Sequence, residues 1–242
     1  MQKYIPLLKK VTLFENIEDS DMLVMLKCLG ARIHSYKKGE IPLMAGDTVS
    51  SVGIVLSGQA HVVREDVDGN QMIITELKGC DLFGETFACI ETKHCPVTVE
   101  AITDCNIMWI DYHRVITSCS SACSFHTRLI GNMLRIIAFK NLRLNRRLEI
   151  LAKRSIRERL LAYLELQAEN NGSRSFLIPF DRNKLADYLC TDRSAMSREL
   201  GKMRDEGILK FEKNKFTLLK KLGLSVRIAL NFFLYQFDFC FQ

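Results

Sequence analysis

The spacing of hydrophobic residues changes along the chain, and each change predicts a different kind of structure. Over residues 4–30 the hydrophobic positions recur every three or four residues, as in Leu7, Val11 and Phe14, and this period predicts helix. From about residue 31 to residue 111, short β-rich runs alternate with glycines instead. These runs are SVGIVLSG, AHVVRED, QMIITEL and CNIMWID. Short strands with turns at regular intervals are typical of a β-barrel or a β-sandwich.

One pair of these runs also carries a hairpin signal. Asp68 and Gly69 lie between AHVVRED and QMIITEL. A tight two-residue turn needs positive φ angles, which an Asp-Gly pair adopts readily. We therefore expect two adjacent antiparallel strands joined at this dipeptide.

A long helix is predicted over residues 121–148, with a stripe of positions spaced by three and four residues, close to a heptad repeat. The stripe consists of Phe125, Leu129, Met133, Ile136, Ile137, Lys140 and Leu144. This helix can pack on the barrel alone, or it can also pair with its copy in a second chain. We favour the pairing, because the stripe is longer than a small domain needs and because Arg143, Arg146 and Arg147 make its end strongly polar.

A second amphipathic helix and then a pair of short helices are predicted after the long one. Residues 154–170 keep the helical period, and the turn-forming NNGS ends that helix. Asp181 can cap a short helix that runs to Leu189, because its carboxylate accepts hydrogen bonds from the unpaired N–H groups of a first turn. Cys190 and Thr191 then form a tight turn.

The last predicted helix spans roughly residues 193–206 and begins at a cap provided by Thr191 or Asp192. Its inward residues are Ala195, Met196, Leu200 and Met203. Gly207 ends it, and the following run ILKFEKNKFTLL predicts two short strands around a turn. Two helices joined by a tight turn and followed by such a strand pair form a winged helix-turn-helix, whose second helix enters the major groove of DNA by its N-terminal end.

Seven polar residues are the candidate DNA contacts. They are Arg193, Ser194, Ser197, Arg198, Lys202, Lys213 and Lys215. Each arginine can donate two hydrogen bonds to a guanine, and the serines can donate to bases or to phosphates. The lysines suit phosphates, which add salt-dependent affinity without sequence information. The alternatives are a generic helical hairpin for the fold and a surface ion pair for each arginine.

Charge is distributed in the way that a polyanion partner would require. The chain has a net charge of +6, yet residues 1–133 carry −4 and residues 134–220 carry +9. A basic half that coincides with the predicted helix-turn-helix favours nucleic acid as its partner, although a solvated basic surface would look the same. Hydrophobic residues make up 48% of the chain, which suffices for a buried core.

The nine cysteines are expected to be thiols rather than disulfides or metal ligands. The N-terminus lacks an apolar run of signal-peptide length, so we expect a cytoplasmic protein, in which thiols stay reduced. An odd number also argues against a complete disulfide framework. Cys119 and Cys123 are four residues apart, but neither a CxxC pair nor a histidine at zinc-finger spacing accompanies them. We therefore predict no metal site.

The order of these elements resembles that of the CRP/FNR family of bacterial transcription regulators, over about residues 10–219. The specific motifs are KKGEIPLMAGD, GIVLSGQAHVV, LFGE and DRSAMSREL. The resemblance implies an α+β fold in which a β-roll or jelly-roll binds an effector, a long helix forms a homodimer and the winged helices read a pseudo-palindromic operator in double-stranded DNA. It also implies RNA polymerase as a partner where the protein activates transcription, and no membrane.

The sequence departs from nucleotide-binding members of that family where the cyclic phosphate is held. Those members have an Arg-Ser pair after Phe-Gly-Glu, and the matching positions here are Cys95 and Pro96. Proline lacks an N–H group, and cysteine lacks a fixed positive charge. The candidate effector pocket is Gly84, Glu85, Thr86, Cys95 and Pro96, and its ligand is an unknown small molecule other than cyclic AMP. Members with an iron–sulfur cluster use closely spaced N-terminal cysteines, whereas here Cys28 is followed only by Cys80.

Two other classes of protein are possible alternatives. A thiol-based redox sensor would use Cys89, Cys95, Cys119 or Cys123, and His94 beside Cys95 could lower the pKa of that thiol. An enzyme is not expected, because the chain contains no nucleophile elbow, P-loop or metal triad.

Four segments are expected. They are an effector domain over residues 1–120, a dimerisation helix over 121–148, a winged helix-turn-helix over 149–220, and a hydrophobic extension of unknown role over 221–242. That extension is nearly long enough to span a membrane, but Arg227, Asn231, Gln236 and Asp238 interrupt it.

Overall fold

Strands dominate the first part of the chain, and helices with one small sheet dominate the second. The structure, a computed structural model, describes residues 1–65, 71–117 and 124–220. The chain divides into two compact units, Met1–Phe139 and a second unit that begins at Lys140. The predictions for Asp68–Gly69, Cys119, Cys123 and the extension over 221–242 lie outside the described residues.

The N-terminal helical segment is interrupted between two short α-helices. Helices α1 (Ile5–Leu8) and α2 (Asp19–Cys28) are separated by turns, and Asn16 in this connection has a φ of 59°. Leu8, Phe14 and Met22 are buried in the core of the first unit. The helical period found over residues 4–30 therefore reports which side chains are buried, but it misses the interruption between the helices.

The β-rich segment forms two antiparallel sheets. Its strands are β1 (Arg32–Tyr36), β2 (Ser51–Ser57), β3 (Ala60–Glu65), β4 (Gln71–Leu77), β5 (Leu82–Phe83), β6 (Thr98–Ala101) and β7 (Cys105–Asp111). One sheet has the order β1-β7-β2-β5 and the other has the order β4-β3-β6. Strands β3 and β4 are antiparallel neighbours with Glu65 opposite Gln71, which confirms the expected strand pair.

Two short helices and a close backbone approach complete this β-roll. Helix α3 (Glu85–Cys89) follows β5, and α4 (Tyr112–Ile116) follows β7. Gly53 in β2 lies under the ring of Phe83, and a Cβ atom at this position would lie 2.2 Å from that ring. Only glycine therefore lets β2 and β5 pack in this way.

Helix α5 (Ser124–Leu151) is the long helix that the sequence predicted. Phe125, Leu129, Met133 and Ile136 are buried in the core of their own unit. These four residues were assigned to the dimer surface, and the structure corrects that assignment, because a side chain in its own core cannot contact a second chain. The predicted stripe combined residues from two faces of the same helix.

Polar contacts fix the buried face of α5 against the connection between α1 and α2. Asn132 is buried and donates hydrogen bonds from Nδ2 to the carbonyl oxygens of Leu13 and Glu15, over 3.1 and 2.9 Å. Arg128 donates to the carbonyl oxygen of Asn16. These contacts, one turn of helix apart, define which side of α5 faces its own unit.

The second unit has its own core and a three-stranded sheet. Its elements after α5 are α6 (Ile156–Asn170), β8 (Ser175–Leu177), α7 (Arg182–Tyr188), α8 (Arg193–Asp205), β9 (Leu209–Glu212) and β10 (Lys215–Leu218). The sheet order is β8-β10-β9. A capping box begins α6, in which Ser155 Oγ accepts from the Glu158 N–H and Glu158 accepts from the Ser155 N–H. These bounds confirm the predicted pair of short helices and the two strands of the wing.

Candidate functional site

Two aspartates and a left-handed residue define the turn between α7 and α8. Asp181 accepts from the N–H of Lys184 over 2.8 Å, and Asp192 accepts from the N–H of Ala195 over 2.7 Å. Cys190 has a φ of 50°, and its N–H donates to the carbonyl oxygen of Asp187. With the following N–H donating to the carbonyl oxygen of residue 186, this is a Schellman motif, which ends α7 sharply. Each helix therefore has a local reason to begin or end where it does.

Arg159, on α6, holds this turn from the side. Its guanidinium donates to the carbonyl oxygens of Leu189 and Cys190 over 3.3 and 3.2 Å, and to that of Lys153 over 2.9 Å. The carbonyls of Leu189 and Cys190 belong to the end of α7, where helical partners are missing. Arg159 therefore links the turn to α6. This role of Arg159 could not be predicted from the sequence, because a contact with a residue 30 positions away leaves no local pattern.

The N-terminal end of α8 presents four exposed polar side chains. Arg193, Ser194, Ser197 and Arg198 are all exposed. Within the part of the chain that the structure describes, none of the four has a hydrogen bond or an ion pair through its side chain. Met196, Leu200 and Met203 on the opposite face are fully buried, whereas Ala195 is half-buried. The structure therefore brings the four predicted base contacts together on one exposed helix face.

Ion pairs fasten the rest of α8 to α6. Arg157 contacts the Glu206 carboxylate with both guanidinium nitrogens and lies 3.4 Å from Glu199. Its hydrogen bonds to Glu206 raise the pKa of Arg157 and lower the pKa of Glu206. Lys202 Nζ lies 3.9 Å from the same Glu199. Lys202 is thus exposed but shares its acidic neighbour Glu199 with Arg157. The other two candidate lysines, Lys213 and Lys215, are exposed in the wing.

The wing packs on α7 through an arginine. The Arg182 guanidinium lies 4.9 Å from the ring centre of Phe211 and 5.0 Å from that of Phe216. Such cation–π contacts anchor a strand pair without using a hydrogen bond. Burial lowers the pKa of Arg182. At the tip, Lys213 has a φ of 49°, and Lys215 lies opposite Glu212 in the register of the two strands.

A cleft of about 490 Å³ lies between the start of α7 and the tip of the wing. Its lining residues are Pro179, Asp181, Arg182, Lys184, Lys213 and Asn214. Three of these side chains are cationic and Asp181 is occupied as a helix cap. The cleft therefore extends the basic surface beyond the residues that the sequence identified. Lys184 is the exposed cation that the sequence did not identify. Its place three residues after the capping Asp181, in the first turn of α7, is the sequence feature that could have identified it.

The first half of the predicted effector pocket forms a tight turn before α3. Gly84 has a φ of 81° and accepts from the Ala88 N–H, so it begins the helix in a conformation that favours glycine. Glu85 is 3% exposed, and Thr86 donates from its hydroxyl to a Glu85 carboxylate oxygen over 3.1 Å. A buried carboxylate at this position suits a ligand that donates hydrogen bonds.

The second half of that pocket lies on the loop before β6. Cys95 is buried, its N–H donates to the carbonyl oxygen of Asp47, and its Sγ donates to that of Val97 over 3.4 Å. Burial raises the pKa of the Cys95 thiol, and the Asp47 carboxylate raises it further. His94 is exposed and contacts the Gly46 carbonyl instead. The expectation that His94 lowers the pKa of Cys95 is therefore wrong, and Pro96 beside it is exposed.

Comparison with known sequences identifies both units. A model of the cyclic nucleotide-binding domain matches residues 33–121, and a model of the Crp-like helix-turn-helix domain matches residues 158–226. The two matches together span most of the chain, in the order that the resemblance predicted. The chain belongs to the CRP/FNR family. It is a transcription regulator with a DNA-binding helix-turn-helix.

The CRP/FNR relatives with similar sequences are also regulators rather than enzymes. The transcriptional activator protein FnrA of Stutzerimonas stutzeri is 24% identical over 214 residues, which cover 86% of this chain and 84% of FnrA. The transcriptional activator protein FnrL of Cereibacter sphaeroides is 22% identical over 216 residues, covering 83% of this chain and 81% of FnrL.

Solved structures of CRP/FNR type share the fold. The c-di-GMP responsive global regulator CLP of Xanthomonas campestris has a TM-score of 0.56 at 18% identity, covering 84% of this chain and all of the CLP chain. CprK in complex with OCPA has a TM-score of 0.57 at 15% identity, covering 83% of this chain and 89% of the CprK chain. At such identities the likeness concerns the fold alone.

The cysteines and acidic residues of this CRP/FNR chain do not form a metal site in the part that the structure describes. Over residues 1–65, 71–117 and 124–220, no group of three or more His, Cys, Asp or Glu side chains is close enough to hold an ion. The six cysteines in these ranges are free thiols. Within the same ranges, no helix is both long and apolar enough to cross a membrane.

Proposed function

We propose that this regulator binds a pseudo-palindromic operator as a homodimer, and that an effector in the β-roll controls the binding. One observation carries the DNA-binding part. Four polar side chains at the N-terminal end of α8 are exposed, and within the described residues they form no side-chain hydrogen bond or ion pair. Within the chain these side chains are solvated by water, whereas a major groove supplies partners for all four.

The contacts divide into two kinds. Arg193 and Arg198 would each donate two hydrogen bonds to a guanine, and Ser194 and Ser197 would donate to bases or phosphates nearby. Lys213 and Lys215 on the wing would contact phosphates, and the cleft beside α7 places Lys184 on the same side as Lys213. Lys202 is the weakest candidate, because Glu199 already offsets its charge.

The dimer would form along one face of α5, which we call the α5 seam. The α5 seam consists of Ile130, Leu134, Ile137, Asn141, Leu144, Leu148 and Leu151, of which Ile130, Ile137 and Leu151 are half-buried and the others are exposed. Leu134, Leu144 and Leu148 are 64%, 63% and 64% exposed. Large apolar side chains that recur on one exposed helix face are typical of an interaction surface. Two of the residues first assigned to the dimer, Ile137 and Leu144, belong to this seam, whereas Lys140 lies beside it.

The effector would differ from a cyclic nucleotide. Where nucleotide-binding relatives have a cation, this chain has the Cys95 thiol, whose raised pKa keeps it neutral at physiological pH. Glu85 adds a buried carboxylate, which repels an anion but can accept a hydroxyl or amine donor. A neutral or cationic small molecule therefore fits this pocket better than a phosphate does.

A selection on random double-stranded DNA would test the proposed binding. We expect an enriched site with two related halves separated by about one helical turn, or 10–10.5 base pairs from centre to centre. Recovery of single half-sites, or of unenriched DNA, would contradict the dimeric operator complex.

As a transcription regulator the protein would act in the cytoplasm, with RNA polymerase as a partner if it activates transcription.

Calorimetry with cyclic AMP would test the effector separately. At cyclic AMP concentrations near 1 mM, a range in which a ligand with a millimolar Kd still binds detectably, we expect no saturable heat. Tight stoichiometric binding would show that Cys95 and Pro96 do not prevent phosphate recognition.

A thiol-based redox sensor remains a separate proposal. Among the described cysteines, Cys89 donates from Sγ to Tyr112 Oη over 3.0 Å, and burial together with Cys89 raises the pKa of Tyr112 to about 12. Cys95 is too deeply buried to be the fast-reacting thiol. Mass spectrometry after mild peroxide treatment would test the proposal, which fails if all nine thiols stay unmodified.

A further inference from the structure

The α5 seam contains one polar residue at its centre. Its positions are separated alternately by four and three residues, which is the a and d spacing of a heptad repeat. Leu134, Asn141 and Leu148 then occupy successive a positions, and Ile137 and Leu144 occupy d positions. Asn141 is thus flanked on both sides by apolar residues, in a row that would otherwise be hydrophobic throughout.

The rest of α5 leaves little freedom for another face to serve as the interface. Phe125, Leu129 and Met133 are buried in the core of their own unit, and Asn132 is tied to the carbonyls of Leu13 and Glu15. Rotating α5 about its axis would break these contacts. The packing of the neighbouring face of the same helix therefore fixes the direction in which the seam faces.

We propose that Asn141 faces the same residue of a second copy and thereby fixes the register of the dimer. The inference rests on the proposed dimer and adds to it the residue that specifies how the two helices align. A single asparagine at an a position is known to select one register and two strands, at a cost in stability, because other alignments bury its amide against apolar side chains.

The hydrogen bonds of Asn141 leave it able to make such a contact. Asn145 donates from Nδ2 to Asn141 Oδ1 over 2.9 Å. That oxygen has a second lone pair, and the amide nitrogen of Asn141 has donors of its own. In register, the nitrogen of one Asn141 can donate to the oxygen of the other while Asn145 stays bound. Asn145 is then a positioning residue that orients the amide.

Register matters because it sets where the two helix-turn-helix units lie on DNA. A slip of one heptad moves one helix along the other by about 10 Å, since each residue rises about 1.5 Å. The half-sites of an operator have fixed spacing, and a slipped dimer would not match both. The asparagine would therefore act on operator recognition without contacting DNA.

Mixing two forms of the full chain tests the proposal. Wild-type protein and N141L, with different affinity tags, are produced in the same cells, and native mass spectrometry counts hybrids and homodimers. Two tagged wild-type forms should pair at random. In the wild-type and N141L mixture one asparagine would face leucine, so we expect the ratio of hybrids to homodimers to fall by about fivefold or more. N141V should give the same result.

Glu149→Leu is the matched control. It places an equal apolar side chain on the exposed surface of α5 but outside the α5 seam, so its hybrids with wild type should form at random. If wild type is a dimer and N141L also pairs at random, Asn141 does not face its copy and the inference is wrong. If wild type is a monomer at micromolar concentration, the proposed dimer itself is wrong, which is a distinguishable result.

Discussion

Arg193 and Lys213 are both exposed cations, yet they should contribute to DNA affinity in different ways. Arg193→Ala should weaken binding to the selected operator by about 1–3 kcal/mol and relax the sequence preference at one base pair, because a bidentate contact to guanine is lost. Binding to random DNA should change much less. Fluorescence anisotropy with both DNAs measures the two effects.

Lys213→Ala should weaken both complexes by the same factor, because a phosphate contact carries no sequence information. It should also reduce the slope of log affinity against log salt by about one. Lys38→Ala, an exposed cation of the first unit, is the control and should leave both affinities unchanged. A loss of specificity in Lys213→Ala would mean that the wing reads bases.

Cys95 should react slowly at neutral pH, since burial raises the pKa of its thiol and only the thiolate is nucleophilic. Alkylation of Cys95 should therefore accelerate only at a pH above the range in which an ordinary thiol ionises. Exposed Cys190 provides the internal comparison. Peptide mass spectrometry across a pH series measures both rates, and equal rates at pH 7 would contradict the structural assignment.

The Cys95 case shows why a neighbour in sequence is weak evidence for a neighbour in space. His94 is adjacent along the chain, but in this loop consecutive side chains lie on opposite sides, with Cys95 inside and His94 outside. The four polar residues that were predicted to share one exposed face of α8 do share it, because a helix makes spacing along the chain equivalent to position on a face. The loop offered no such rule.

At the scale of elements, the turn between α7 and α8 stores a small amount of backbone strain. Cys190 has a φ of 50° at the position of the Schellman motif where glycine is preferred. Cys190→Gly should therefore stabilise the second unit by about 0.5–1 kcal/mol, because the left-handed conformation disfavours a Cβ atom. Cys190→Ala removes the thiol but keeps the Cβ atom, so it should bring no such gain.

Hydrogen exchange of the α8 amides is the suitable measurement, because a chain with two units need not unfold in one step. Slower exchange in Cys190→Gly and no change in Cys190→Ala would agree with relief of strain. Equal effects in the two variants would assign the change to the thiol.

Helix α5 shows what the pattern of an element can and cannot predict. The length of the helix and its two stripes follow from the period of its sequence. Which stripe packs inward depends on the β-roll that α5 meets, and on contacts such as Asn132 with Leu13 across 119 positions of sequence. The sequence alone therefore predicts that α5 is amphipathic, but only the tertiary structure shows which of its faces packs against the β-roll.

At the scale of the whole molecule, the order of the structural elements could be predicted from the sequence, whereas the side-chain contacts between distant elements could not. Glycine-punctuated strands, a long helix and two capped short helices are local patterns, and all of them appear in the fold. Arg157 with Glu206 and Arg159 with Cys190 join parts of the chain 49 and 31 residues apart. Such pairs hold α8 and the turn before it in place, and they leave no local pattern in the sequence.

The dimer can be tested through the leucines of the α5 seam, which are the exposed apolar residues nearest the proposed two-fold axis. Leu144→Glu combined with Leu148→Glu would bring four carboxylates together in the seam, and like charges in an apolar interface strongly oppose association. We expect monomers by analytical ultracentrifugation, with an unchanged circular dichroism spectrum because both side chains are exposed in the free chain.

Loss of the dimer should appear on DNA as a loss of avidity rather than of recognition. Two linked recognition helices bind with an effective concentration advantage, so the double variant should lose about 10²-fold or more in affinity for the full operator. Its affinity for one isolated half-site should stay close to that of wild type, because α8 and the wing are unchanged. Leu142→Glu, on α5 but outside the α5 seam, should remain dimeric and keep its operator affinity. Equal losses on the full site and the half-site would instead mean that these substitutions damage the helix-turn-helix, and the seam would then have no demonstrated part in pairing.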